Sequence, residues 1–302
     1  MRIQSLLIGA AVAALVIVPA LAGDQGWING SWTTYDARNL KLDGLAATVR
    51  VDVKDSGPMA MQISGPSDRV SKVNVRQIGG MLRVESENVG GVWDWKHWFD
   101  FSHRSSGPLS IHIVVPRGTP VNVDQTAGNV TIGNTMGPLK FEVEGYTDST
   151  VGNVSEAHLE MDGSGKLRVG NVTGKVHAET AGSGNIRLGD TGPFNADIAG
   201  SGSIAAGRIN GGLKVDIAGS GDFSAASVMG PTSADIAGSG SVAIGGGEAN
   251  PFRVEIMGSG SVSFDGTAVD PKISSMGSGS VRIKAYRGQL SNEGNSNLKI
   301  GG

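Results

Sequence analysis

The chain contains no cysteine, and it has few charged residues and few aromatic ones. The lack of cysteine excludes disulfide frameworks, thiolate metal sites and cysteine nucleophiles. Charged residues make up only 18% of the 302 residues, and the formal net charge is −3. The chain therefore offers no general electrostatic attraction for nucleic acid or anionic lipid. We therefore expect no nucleic-acid partner. The 39% hydrophobic content is sufficient for a packed core.

Only one long apolar run is present, over residues 6–22. It follows Arg2 and ends with Ala20 and Ala22, which is typical of a secretory signal peptide. We predict cleavage after residue 22 and export to the periplasm or the cell surface of a bacterium, with no integral membrane segment left. An uncleaved membrane anchor is the alternative.

Glycine is abundant, with 48 residues, but it does not recur every third residue, which excludes collagen. The triplet Gly-Ser-Gly occurs seven times at spacings of 18 to 20 residues, and the triplets begin at Gly163, Gly182, Gly200, Gly219, Gly238, Gly258 and Gly277. Looser copies begin at Gly128 and Gly145. Glycine tolerates positive φ, so each triplet is predicted to form a corner of the chain.

Apolar and polar residues alternate on both sides of each triplet, as in Ala196-Asp197-Ile198, which predicts short strands and no helices. A unit of this size cannot bury its apolar face alone, whereas stacked coils can. The period therefore predicts an all-β fold, a parallel β-solenoid with coils of about 19 residues. A β-sandwich or a propeller would be the competing architecture, but both have other strand spacings.

Stacked coils place equivalent residues in columns. Acids stand three residues before most of the triplets, at Glu160, Glu179, Asp197, Asp216, Asp235 and Glu255. A partly basic column precedes them by two residues: His158, His177, Asn195, Lys214, Ser233, Arg253 and Lys272. We favour a structural lattice of ion pairs for this acidic ridge, and the alternatives are a calcium-binding ridge or a carboxylate pair acting on a sugar.

The rest of the chain divides around this repeat. We predict a linker over 23–39, an irregular β region over 40–120 that caps the solenoid, the solenoid over 121–285, and a polar tail or cap over 286–302. Strands are expected at 47–53, 59–63, 73–76, 81–85 and 109–115 because apolar residues alternate there.

An aromatic insertion over 92–101 interrupts the N-terminal region. Of its aromatic residues, we take Trp93, Trp95, Trp98 and Phe99 as candidates for binding a glycan or an envelope protein. A role in capping the solenoid fits the same residues.

Two further motifs give the chain a family resemblance. The sequences Gly79-Gly80-Met81-Leu82-Arg83-Val84 and Ile111-His112-Ile113-Val114-Val115-Pro116 precede the Gly-Ser-Gly repeats. Over residues 40–284 this layout resembles the putative auto-transporter adhesin, head GIN domain family. The resemblance implies a right-handed β-helix-like fold in an exported envelope protein, and it supplies no catalytic residues. The aromatic insertion departs from the family pattern, and the second motif carries one extra residue before its proline.

The leading functional hypothesis is a non-enzymatic envelope protein, an adhesin-like or scaffold module that presents a rigid solenoid face. We expect no catalytic residue, no cofactor and no metal site, because no nucleophile elbow or His-Glu-x-x-His motif occurs. A polysaccharide lyase or hydrolase is the alternative from another class, since β-helices host such enzymes. A solenoid that self-assembles end to end is the third hypothesis, and the oligomeric state is left open.

Overall fold

The computed structural model describes residues 26–86, 108–125, 128–294 and 297–301. Strands dominate these residues, and the only helix among them is the single turn α1 (Ser67–Val70). The all-β prediction is therefore confirmed. No helix in the described ranges has the length and apolar character needed to cross a membrane.

The N-terminal region is irregular, as predicted, and mixes parallel with antiparallel pairing. Its strands are β1 (Trp27–Asn29), β2 (Thr33–Tyr35), β3 (Asn39–Asp43), β4 (Thr48–Lys54), β5 (Met59–Pro66), β6 (Val73–Ile78), β7 (Met81–Ser86) and β8 (Ser110–Pro116). Strand β5 runs antiparallel to β1, β2 and β8, and β6 runs antiparallel to β7. The segment predicted to be a linker thus contains β1 and β2, where Tyr35 is buried in the core.

The repeat region follows as a parallel β-solenoid of stacked coils. Its strands are β9 (Val121–Asp124), β10 (Val130–Ile132), β11 (Leu139–Gly145), β12 (Asp148–Val151), β13 (Ala157–Gly163), β14 (Lys166–Val169), β15 (Val176–Gly182), β16 (Asn185–Leu188), β17 (Phe194–Gly200), β18 (Ser203–Asn210), β19 (Leu213–Gly219), β20 (Asp222–Gly238), β21 (Ser241–Ile244), β22 (Gly247–Gly258), β23 (Ser261–Val269), β24 (Lys272–Gly277), β25 (Ser280–Arg287), β26 (Ser291–Gly294) and β27 (Asn297–Ile300).

Each coil has two main flat sides. The strands that end at the triplets form the first face, which comprises β9, β11, β13, β15, β17, β19, the second halves of β20 and β22, β24 and β26. The strands that follow the triplets form the second face, which runs from β10 to β27. The predicted polar tail contributes β26 and β27, which extend both faces by a further coil.

The N-terminal region joins this stack out of chain order. Strands β3 and β4 pair in parallel with β9 and β10 on one side and with β7 and β8 on the other. The earlier strands therefore lie inside the stack, and the later strands β7 and β8 lie outside them.

The Gly-Ser-Gly triplets lie directly above one another, as predicted. Gly163, Gly182, Gly200 and Gly219 are register partners in successive parallel strand pairs. The backbone amide of Ser201, the serine that follows Gly200, donates a hydrogen bond of 2.8 Å to the carbonyl of Gly182. The ladder thus continues through the corner, which keeps every coil in one register.

Space requires glycine at both ends of a triplet, and a positive φ also requires it at the first position. Gly200 has a φ of +104°, and a Cβ atom there would lie 2.7 Å from the carbonyl oxygen of Gly182. At the second glycine of a triplet, a Cβ on Gly240 would lie 2.6 Å from the carbonyl oxygen of Gly221 and 2.7 Å from a methyl group of Ile217. Serine fits between them because its side chain points outward.

The core fills the interior of the stack with the inward residues of both faces. Its largest fully buried side chains include five phenylalanines. The ring centroids of Phe194 and Phe223 are 5.8 Å apart in an edge-to-face contact, and those of Phe252 and Phe264 are 5.2 Å apart and stacked. Burial of this apolar interior is the main force that holds the coils together.

A second ladder, formed by Asn and Asp side chains, supports another corner of the coil, and we call it the Asn ladder. The side-chain carbonyl of Asn134 accepts the amide of Asn153 at 2.8 Å, and that of Asn153 accepts the amide of Asn171 at 2.8 Å. The series continues through Asp190 to the amide of Arg208, both at 2.9 Å. These bonds satisfy backbone donors at a bend where the strand ladder is interrupted.

Alanine substitution of Gly200 tests the requirement for glycine at the triplet. We expect Gly200→Ala to lower the free energy of unfolding by about 1–3 kcal/mol, because the added Cβ meets both a positive φ and a carbonyl oxygen. Gly246→Ala is the matched control, since nothing lies within 4 Å of a Cβ at that position. Urea unfolding at pH 7 measures the stability of both variants. Equal midpoints for the two would contradict the requirement for glycine at position 200.

Candidate binding face

The six predicted ridge acids lie in one outward column on the first face, because each is the register partner of the next. The column is longer than the triplets indicated. Glu142 and Asp124 extend it through the first coils, and Asp43 and Glu85 extend it through the N-terminal region. We call the full series the acidic column: Glu85, Asp43, Asp124, Glu142, Glu160, Glu179, Asp197, Asp216, Asp235, Glu255 and, beyond Ser274, Glu293.

Basic side chains neutralise the N-terminal part of the acidic column. Arg83 lies 2.7 Å from the carboxylate of Asp43 and 2.6 Å from that of Glu85. Lys41 lies 3.4 Å from Asp43 and 3.2 Å from Asp124. This end of the face is therefore a lattice of ion pairs.

The central part of the column has fewer cations for its carboxylates. Lys214 pairs with Asp216, and the ring of His177 lies 3.6 Å from the carboxylate of Asp197. Asp216 is also the register partner of both Asp197 and Asp235, so the three carboxylates lie at the strand spacing. Like charges at the strand spacing repel, so this stretch of the column is electrostatically unfavourable at neutral pH.

Carboxyl pKa values follow from this crowding. Burial raises the pKa of Asp197 above its usual value, and the hydrogen bond and charge of Asp216 raise it further. Burial also raises the pKa of Asp235, with added contributions from Asp216 and Glu255. In contrast, the hydrogen bonds from Arg208 lower the pKa of Asp190, which lies at the Asn ladder and not in the acidic column.

A shallow open groove runs beside the central acids. Outward alanines from successive coils form its floor, since Ala199, Ala218 and Ala237 occupy one column two residues beyond the acids. Their small side chains leave a groove of about 440 Å³, with Met257 at one end. One wall of the groove is therefore a row of carboxylates and its floor is apolar.

The aromatic candidates Trp93, Trp95, Trp98 and Phe99 lie outside the described residues. The structure therefore does not relate them to the groove, and their role stays a prediction.

The N-terminal acids were missed because their strands join the stack out of chain order, so no spacing relates Asp43 or Glu85 to the repeat. A signal for Glu142 was present, since it lies three residues before the looser triplet at Gly145. A sequence signal for the Asn ladder was also present, because Asn153 and Asn171 each follow a glycine at the repeat spacing.

Comparison with known proteins identifies the family. Residues 41–248 match the family described as putative auto-transporter adhesin, head GIN domain. The chain belongs to this family. The resemblance predicted from the glycine motifs is thereby confirmed, and no curated protein matches the sequence significantly.

Three solved structures are similar to the chain at low identity. A putative lipid binding protein from Parabacteroides distasonis is 16% identical, with a TM-score of 0.47 over 90% of this chain and 96% of that one. A putative adhesin from the same organism is also 16% identical, with a TM-score of 0.43 over 90% and 98%. A putative adhesin from Parabacteroides merdae is 15% identical, with a TM-score of 0.39 over 92% and 97%. Such TM-scores support no conclusion about function.

Neutralising one central acid tests the crowding in the column. Asp235 has a higher pKa in the folded chain than in the unfolded one, so the free energy of unfolding falls as pH rises through the interval just above 3.8. We expect Asp235→Asn to be more stable than the parent by about 0.2–1 kcal/mol at pH 7, and the gain to shrink towards pH 4.

Asp190→Asn is the matched control of opposite sign, because the pKa of Asp190 is lowered in the fold. It keeps a side-chain oxygen for the amide of Arg208 but loses the ion pair, so it should be less stable at pH 7 and regain the difference at acid pH. Urea unfolding at both pH values measures the two variants. If Asp235→Asn had a lower free energy of unfolding than the parent at pH 7, repulsion between the central carboxylates would not be destabilising the fold.

Proposed function

We propose that this protein is a non-enzymatic, adhesin-like binding module of the bacterial cell envelope. In this proposal the chain is exported, and the central part of the acidic column with its alanine groove contacts the partner. Family membership supports the adhesin-like role. The observation that carries the choice of surface is the row of Asp197, Asp216 and Asp235, in which three neighbouring carboxylates have one lysine partner, Lys214.

The partner expected from this chemistry is a glycan or an envelope protein that brings positive charge or hydroxyl donors to the carboxylates. A cation or a donor placed against the row would offset the repulsion between Asp216 and its neighbours. The apolar floor offers Ala218 and its neighbours to the face of a sugar ring or to an aliphatic side chain. Such a surface favours recognition along the solenoid axis.

The geometry of the acidic column supports a hydrolase less well than a binding module. Glycosidases place two carboxyl groups on either side of the bond that they cleave. Here the carboxylates of Asp197, Asp216 and Asp235 belong to one column, so a ligand in the groove meets all of them from the same side. Their equivalent positions also argue against separate acid and base roles.

Binding to isolated bacterial envelopes and to chitosan oligomers tests the surface. We expect Asp197→Asn/Asp235→Asn to reduce retention at least about tenfold, because two charge-assisted contacts are lost. Asp148→Asn/Asp222→Asn is the matched control, since it removes the same charge from the second face. Fully N-acetylated oligomers of equal length report how much of the binding depends on ligand charge.

The outcomes separate the two candidate surfaces. If both double variants bind like the parent while Trp93→Ala/Trp95→Ala/Trp98→Ala does not, then the aromatic insertion is the binding segment and the acidic column is structural. If the parent retains neither probe, the adhesin-like proposal fails. Release of reducing ends from either oligomer would instead support the hydrolase.

A further inference from the structure

Three metal-ligating side chains converge in the first half of the acidic column. Glu142, His158 and Glu160 each offer one ligand atom, and these atoms lie within 4.8 Å of one another. All three side chains are half-buried on the first face. Across the part of the chain that the structure describes, no other three histidine or acidic side chains meet this spacing.

We propose that Glu142, His158 and Glu160 bind a divalent transition-metal ion of the Zn²⁺ type. Two ligand atoms on one tetrahedral zinc stand roughly 3.4 Å apart, given metal–ligand bonds of about 2.0–2.2 Å. Nε2 of His158 lies 3.7 Å from Oε1 of Glu142, which is longer than a hydrogen bond and close to that separation. Small side-chain rotations are sufficient to bring both atoms to one ion.

The imidazole selects the class of metal. Calcium and magnesium prefer ligand sets made only of oxygen, whereas zinc and its first-row neighbours bind imidazole readily. At this position His158 adds an imidazole nitrogen to the two carboxylates of the acidic column. The ring of His158 stacks on that of His177, with centroids 5.1 Å apart and planes 22° apart.

The charges around the site also favour a bound cation. Glu160 is the register partner of both Glu142 and Glu179, so three carboxylates repel one another at the strand spacing. Lys140 pairs with Oε1 of Glu142, the same atom that faces His158. A metal ion would replace this ammonium, and the flexible lysine side chain can turn towards solvent.

Calorimetric titration of the purified, untagged protein with ZnCl₂ at pH 7 tests the proposal. We expect one site per chain, and an affinity reduced about tenfold or more in His158→Gln and in Glu160→Gln, since each removes a ligand. The matched controls are Glu255→Gln, from the acidic column, and His177→Gln, at the register partner of His158 one coil away. Both should bind like the parent, and an excess of CaCl₂ should not displace zinc.

Each alternative result overturns the assignment. Equal losses in His158→Gln and His177→Gln would place the ion between the two imidazoles, and unchanged affinity in every variant would place it elsewhere. Histidine ring resonances in NMR spectra give a second measurement, in which zinc should shift the signals of His158. Thermal midpoints without zinc check that the variants are folded. The titration involves no partner, so it can fail while the adhesin-like proposal stands.

Discussion

Neighbouring coils approach so closely at the first glycine of each triplet that no side chain fits between them. The carbonyl of one coil accepts the amide that follows the glycine of the next, and a Cβ at Gly200 would fill that space. This contact keeps successive coils parallel and in register. The outward columns, the groove and the core all depend on that register, because a shift of one residue would exchange the inner and outer faces of a strand.

In-register stacking has an electrostatic cost at the surface. Any charge repeated at one position of the coil meets its own copy at the strand spacing, as Asp197, Asp216 and Asp235 do. The N-terminal coils offset this repulsion with Arg83 and Lys41, whereas in the central coils Lys214 pairs with Asp216 and the ring of His177 lies 3.6 Å from Asp197. The unequal distribution distinguishes one stretch of an otherwise uniform face, and that stretch also borders the alanine groove.

The period of the repeat was sufficient to predict the solenoid and the column from Glu160 to Glu255. This was possible because the triplet needs glycine at both ends, so the spacing of Gly200 and its copies reports the register directly. The position of Asp43 could not be predicted in the same way, since β3 pairs with β7 and β9 through long-range contacts that leave no period. The convergence of His158 with Glu142 depends on side-chain rotamers, which the pattern of residues does not specify.

The position of β3 and β4 between later strands has a consequence for how the chain assembles. Both strands are made before their parallel partners, one of which lies in residues 81–116 and the other in residues 121–132. Closing those loops costs entropy before any apolar contact is gained. The coil that contains β3 and β4 is therefore completed only after residue 132 has been made, and the first coils cannot simply be added one after another in the order of synthesis.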